Sequence, residues 1–205
     1  SDFLDEYNPN SVTVGNYYTS EEDIVASLNG VYTSLTQSYV ADNYHYFTDV
    51  RANATVVTNS GANSGIPYQF YNYTLTEENV YVYNRYSQLY KIISRANTLF
   101  AHLGDVSYAT PSARDTYEAE ARFLRALSYY WLVTEWGDVP LVLKVLESTE
   151  EVRANNYRRP KAEIYQAIFD DLKYVTESPL LDVQPASACG KVSKAAAWAL
   201  WGKAL

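Results

Sequence analysis

Asp49, Arg51 and Asn53 alternate within TDVRANA, and Tyr68, Phe70, Tyr71 and Asn72 follow within PYQFYNY. Together they supply flat aromatic rings beside carboxylate, guanidinium and amide groups. Recognition of a pyranose needs this combination: a ring for the apolar sugar face and fixed polar groups for its hydroxyls. The alternative is that the rings pack the surrounding loop onto neighbouring helices, and sequence alone leaves both readings open.

Bond-making chemistry finds less support. His45 and His102 are the only histidines, and neither belongs to an HExxH or cysteine-based metal pattern. Walker A, GxGxxG and GxSxG motifs are lacking. Carboxylates do pair, as Glu118 with Glu120, Glu150 with Glu151 and Asp170 with Asp171. A glycosidase needs two carboxyls facing across a cleft, whereas sequence neighbours on a helix point apart. Asp170 and Asp171 are therefore expected on a solvated face, and Glu118 or Glu120 in an ion pair with Arg122 or Arg125. The sequence points to a non-enzyme without cofactor or metal.

The elements that must position these residues read as helices. Ser20, with Asp23 three residues on, caps a helix over 21–39 whose inner face is Ile24, Leu28, Val31 and Leu35. A long Asn- and Tyr-rich loop covers 40–75, and residues 1–18 form an irregular arm. Further helices are expected over 77–103, with Thr76 as N-cap, and over 111–136, 161–177 and 193–205. Short turns make successive helices into hairpins, and small residues such as Ala119, Ala121, Ala195 and Ala199 permit close approach. The fold class is mostly α, a tetratricopeptide-like stack of hairpins with long irregular loops, although the spacing of the hairpins exceeds the standard repeat of roughly 34 residues.

Composition limits the partners. The 205 residues carry a net charge of -8, which argues against nucleic acid, because phosphate recognition needs clustered cations. Arg158, Arg159 and Lys161 form the one dense basic group and read as the solvated start of a helix. Cys189 is the single cysteine, so an intrachain disulfide is impossible. No apolar run approaches the roughly 20 residues that span a bilayer. Tyrosine is the outlier, with 21 residues against no methionine. It suits half-buried positions, where a ring packs and a hydroxyl finds a partner.

Residues 118–142, EAEARFLRALSYYWLVTEWGDVPLV, combine an apolar helical stripe with an abrupt stop. Phe123, Leu127, Tyr130 and Thr134 follow helical spacing, Ala126 and Val133 widen the stripe, and Gly137 ends it in a left-handed conformation before Pro140. This segment resembles the SusD/RagB family. The resemblance continues in DFLDEYNPNSV and YYTSEEDIVASLNGVYTSL, in Tyr90, Ile93, Ala96 and Asn97 of QLYKIISRANTLF, and in RRPKAEIYQAIFDDLKYV and GKVSKAAAWALWGKAL. It implies an outer-membrane, cell-surface lipoprotein, held by a lipid on a Cys upstream of Ser1. Such proteins bind glycans and deliver them to a SusC-like TonB-dependent transporter. It also implies that Asp49, Arg51 and Asn53 help line the ligand face, and that 1–205 is the N-terminal helical region of a longer protein whose variable C-terminal half is absent. The alternatives are a helical-repeat interaction scaffold without a carbohydrate site, or a binder of peptides or glycopeptides.

Overall fold

A computed structural model describes residues 18–40, 45–52, 54–58 and 60–205, so residues 1–17 of the expected arm and Asn53 lie outside the described residues. The helices are α1 (Glu21–Val40), α2 (Tyr68–Tyr71), α3 (Val80–His102), α4 (Ala113–Trp136), α5 (Thr149–Asn155), α6 (Lys161–Glu177) and α7 (Lys194–Ala204). Among the described residues there is no strand, only an isolated antiparallel bridge between Val139 and Arg159. No helix among them is long and apolar enough to cross a membrane. The mostly α expectation is what the chain adopts. Two compact units result, Thr33–Lys91 and a larger one combining residues up to Tyr32 with Ile92–Leu205.

In the larger unit, α1 starts as a capping box with the acid reaching back. The Asp23 carboxylate accepts from the backbone N–H groups of Thr19 (2.9 Å) and Ser20 (3.0 Å) and from both hydroxyls. Ile24 and Leu28 then pack with Ala96, Leu99, Leu103 and Ala121 in one core cluster, where the alanines allow close approach. Ile164, Ile168, Leu172 and Val175 bury the inner face of α6 as their spacing predicts, each worth about 1.5–3 kcal/mol relative to exposure.

Helix α4 differs from its expected single stripe. Residues on several of its faces are covered: Ala119, Ala121, Leu124, Ala126, Tyr129, Leu132 and Val133 are all buried, while Thr134 is exposed. A helix covered on most sides is the central element of its unit, and it must pair any charge it carries.

That pairing is a buried ion cluster. Arg125 grips Asp171 on α6 bidentately, Nε to Oδ2 at 2.8 Å and Nη2 to Oδ1 at 2.7 Å. Its Nη1 donates to Asn97 Oδ1 at 2.7 Å and to the Leu143 carbonyl at 3.2 Å. Arg122 adds a second cation, bonding Asp171 at 2.9 Å and Glu118 at 2.8 Å, with its guanidinium 4.5 Å from the Tyr174 ring centroid. Asp171 is thus not on a solvated face, although Asp170 is exposed. The expected Glu118–Arg122 pair forms, whereas Glu120 is bound instead by the Tyr32 hydroxyl at 2.8 Å.

After α4 the Gly-Asp-Val-Pro stop is tied down residue by residue. Gly137 has φ +79° and ψ -123°, a positive-φ conformation other than the expected left-handed helical one, and a Cβ there would meet Lys161 Cε at 3.1 Å. Asp138 Oδ1 accepts from the Lys161 N–H at the start of α6, and the Val139 carbonyl accepts from Arg159 N at 2.9 Å. The Tyr129 hydroxyl then bonds both the N–H and the carbonyl of Val142, and the Asn97 amide donates to the Val142 and Lys144 carbonyls.

Three outcomes follow for stability. Asp171→Asn, nearly isosteric, leaves two buried cations short of their counterion and should cost about 3–5 kcal/mol in urea unfolding; a loss under 1 kcal/mol would make the cluster incidental. Gly137→Ala should cost about 1–3 kcal/mol, and the loss should persist in a Lys161→Ala background because the backbone strain remains. Burial raises the pKa of Glu120 above its ordinary 4.5, against the opposing Tyr32 hydrogen bond and Lys191 charge. The folded chain therefore holds that proton to higher pH than the unfolded chain, so this group's contribution becomes more unfavourable as pH rises from 4.5 through its folded value. The stability of Glu120→Gln relative to the parent should increase over that range, and a pH-independent difference would refute the shift.

Candidate ligand-binding site

The expected site residues fall in the Thr33–Lys91 unit, where the long loop has more structure than its composition suggests. Tyr46–Val50 forms a π-helical turn that buries Phe47 and Val50 and leaves Asp49 and Arg51 exposed. The Asp49 carbonyl accepts from Ala54 N (2.8 Å) and Thr55 N (3.3 Å), reversing the chain immediately after Arg51. The Tyr73 hydroxyl donates to the Arg51 carbonyl at 2.9 Å, which ties the polar turn to the aromatic segment.

Within that segment the rings divide by depth. Phe70 is fully buried, edge-on to Phe47 at 4.9 Å and tilted against Tyr46 at 5.7 Å. It has no open face, so its place is the floor of the unit; the expectation that it contacts ligand does not fit a ring without accessible surface. Tyr68 and Tyr71 are half-buried with centroids 5.6 Å apart. Asn72 is exposed, and its amide oxygen accepts from the Thr74 hydroxyl at 2.6 Å and N–H at 3.3 Å, a local turn that sets its direction. Asp49, Arg51, Tyr68, Tyr71 and Asn72 thus share one small unit, while Asn53 is outside the described residues.

Other residues contribute that spacing did not reveal. Tyr46 and Tyr81 stack at 5.5 Å with planes 26° apart, and Asn63 donates to the Tyr81 hydroxyl at 3.1 Å. Burial, then the neighbouring Tyr81, raises the Tyr46 pKa and keeps its hydroxyl protonated. Asn63 (φ 47°) and Ser64 (φ 58°) occupy left-handed conformations before Gly65 (φ 79°), an unusual run that a Gly-Ala-Asn-Ser-Gly composition permits. Asn79, rather than the expected Thr76, caps α3. Its Oδ1 accepts from Tyr81 and Val82, while its amide holds Ile66 and Gln69, so one buried side chain joins the loop to the helix. An Asn directly before an aromatic helical run was the readable signal.

The histidines have structural neighbours. His102 stacks on Tyr18 at 4.2 Å and its Nδ1 lies 2.7 Å from Asp105, and His45 packs on Tyr46. No group of three or more His, Cys, Asp or Glu among the described residues could hold a metal ion.

Residues 2–204 match the SusD-like family model described as starch-binding and associating with the outer membrane. SusD-like protein P2 of Formosa agariphila is 28% identical over 183 residues, covering 89% of this chain and 35% of its own length; P25 of the same organism is 26% identical and covered over 38%. The chain therefore spans little more than a third of these relatives. A solved laminarin-binding SusD-like protein is 28% identical with TM-score 0.78, across 91% of this chain and 40% of that one. The surface glycan-binding protein A of Bacteroides uniformis, 22% identical with TM-score 0.76, shares the fold. The chain belongs to the SusD-like family of starch-binding, outer-membrane-associated proteins.

Proposed function

We propose that this chain forms the N-terminal helical part of a cell-surface lipoprotein that binds an oligo- or polysaccharide and delivers it to a SusC-like TonB-dependent transporter. Anchoring falls to a lipid on a Cys upstream of Ser1. Binding, without cleavage of the glycan, is the role of Asp49, Arg51, Asn53, Tyr68, Tyr71 and Asn72, with Phe70 as the support beneath the rings. The observation that carries the ligand reading is the gathering of half-buried Tyr68 and Tyr71 with exposed Asp49, Arg51 and Asn72 in one unit, joined through Tyr73. The family's starch-binding description and the laminarin-binding relative support a glycan as the ligand class.

Half-burial suits a stacking platform. One edge of the ring is fixed by its neighbours and little side-chain freedom remains to be lost when a sugar docks. The carboxylate, guanidinium and amide then select hydroxyl geometry.

Calorimetry of the complete polypeptide against a glycan panel tests the reading. At least one glycan should bind, and Tyr71→Ala should weaken it roughly tenfold, about 1.4 kcal/mol, without loss of fold. Phe70→Ala should instead cost about 3–5 kcal/mol of stability as its buried volume empties. Binding of peptides alone, or of nothing in the panel, would overturn the glycan reading, and failure to copurify with a large β-barrel from detergent extracts would overturn the transporter reading.

A further inference from the structure

Tyr73 stands at a position that glycine ordinarily fills. Helix α2 ends with the Tyr68 carbonyl accepting from Asn72 N at 3.0 Å and the Gln69 carbonyl accepting from Thr74 N, also at 3.0 Å. The second bond spans six residues and marks a Schellman cap, in which the residue just past the helix end adopts a left-handed conformation. Here that residue is Tyr73, at φ 60°. A side chain in this conformation brings its Cβ too close to the following carbonyl oxygen, a conflict that glycine lacks. Local sterics therefore do not account for the tyrosine, and the reason for it lies in what the ring does.

Burial is not that reason. Tyr73 is 62% exposed, the most exposed tyrosine among the described residues. Tyr68 and Tyr71, by contrast, are half-buried, and each lies against the other at 5.6 Å. The Tyr73 hydroxyl donates to the Arg51 carbonyl at 2.9 Å. Its polar end is thereby committed to the protein and its orientation held, while much of the ring stays open to solvent.

Those two properties are what stacking of a pyranose requires: an open aromatic face, and little side-chain freedom left to lose on binding. The chain on either side of the tether carries polar groups. Asn72 directly precedes the ring, and its Oδ1 is taken by the Thr74 hydroxyl at 2.6 Å, so what the exposed amide offers a ligand is its NH2 group. Arg51, at the other end of the tether, is exposed and adds a guanidinium. Both are donors, which suits the oxygens of sugar hydroxyls. Backbone strain of this kind persists at ligand clamps, where the surrounding bonds hold it in place.

We propose that Tyr73 is a sugar-stacking ring of this site, the outermost of its aromatic group, kept in a strained conformation for binding and not for stability. The inference rests on the glycan reading. Its test is Tyr73→Gly and Tyr73→Phe in the complete polypeptide, with Tm and calorimetric affinity measured. The probe is whichever glycan the parent binds most tightly in a panel that includes soluble starch and laminarin. Tyr73→Gly should bind at least about tenfold more weakly, while its Tm equals or exceeds that of the parent. Tyr73→Phe keeps the ring and loses the tether, and should stay within about threefold of the parent affinity. Parental affinity in Tyr73→Gly would overturn this proposal and leave the glycan reading standing. A fall in its Tm of about 5 °C or more would make the side chain a structural prop. Equal losses of affinity in Tyr73→Gly and Tyr73→Phe would assign the effect to the tether instead of the ring; either result also overturns the proposal. A parent that binds no glycan of the panel overturns the glycan reading and this proposal with it.

Discussion

The larger unit depends on a cation held almost entirely out of bulk water. Arg125 leaves only 6% of its side chain exposed, and Asp171 only 2%. Removing two charges from water costs several kcal/mol per ion, which only close geometry and full hydrogen bonding offset. The guanidinium meets that condition by reaching three elements at once: Asp171 on α6, Asn97 on α3 and the Leu143 carbonyl in the chain after α4. A lysine could supply the charge but not the planar fork that meets both carboxylate oxygens. An apolar replacement of similar volume could give comparable stability, but it would leave Asn97 and Leu143 without their shared partner. The cluster therefore acts on register as much as on energy. It fixes which turn of α4 faces which turn of α6.

Tyrosine extends the same logic from charge to neutral hydroxyls. Tyr32 donates to Glu120 and accepts from Val192 N, Tyr117 donates to Glu21, Tyr108 donates to the Leu103 carbonyl, and Tyr129 clasps Val142 from both sides. Each ring fills space near its own backbone while its hydroxyl reaches a different segment. Methionine fills gaps equally well but offers no comparable tether, and the chain contains none. In the smaller unit the division runs the other way. Phe47 and Phe70, which lack hydroxyls, form the floor, and Tyr46, Tyr68, Tyr71, Tyr73 and Tyr81 stand nearer solvent.

Helices were legible where one face alternated regularly with the other. Ile164, Ile168, Leu172 and Val175 mark α6 over the range that forms, and Ser193 caps α7 as its position implies. Helix α4 was located but its burial was underestimated, because periodicity detects one apolar face and α4 is covered on most of its surface. Asp171 was misplaced for a related reason: its charge reads as solvent-facing, and the two arginines that neutralise it lie 46 and 49 residues away in sequence. Helix α5 escaped notice because it buries no residue and rests on a Ser148 cap and a Lys144–Glu151 pair. In the candidate site, ring and polar residue types could be read directly. The depth that separates Phe70 from Tyr71 could not, since it follows from the π-helical turn and from the contact with Phe47.

The segment 118–142 matters through what it holds after its helix ends. Gly137, Asp138, Val139 and Val142 hand the chain from α4 to α6 through successive bonds, and Arg125 and Asn97 anchor that passage from within. Native-state hydrogen exchange at the Val142 and Arg159 amides, compared between the parent and Arg125→Lys, tests this most directly. Both amides should exchange only through global unfolding in the parent, and at least about 100-fold faster in the variant than its loss of global stability requires. Exchange that changes no more than global stability does would contradict the role of the buried arginine as the anchor of that passage.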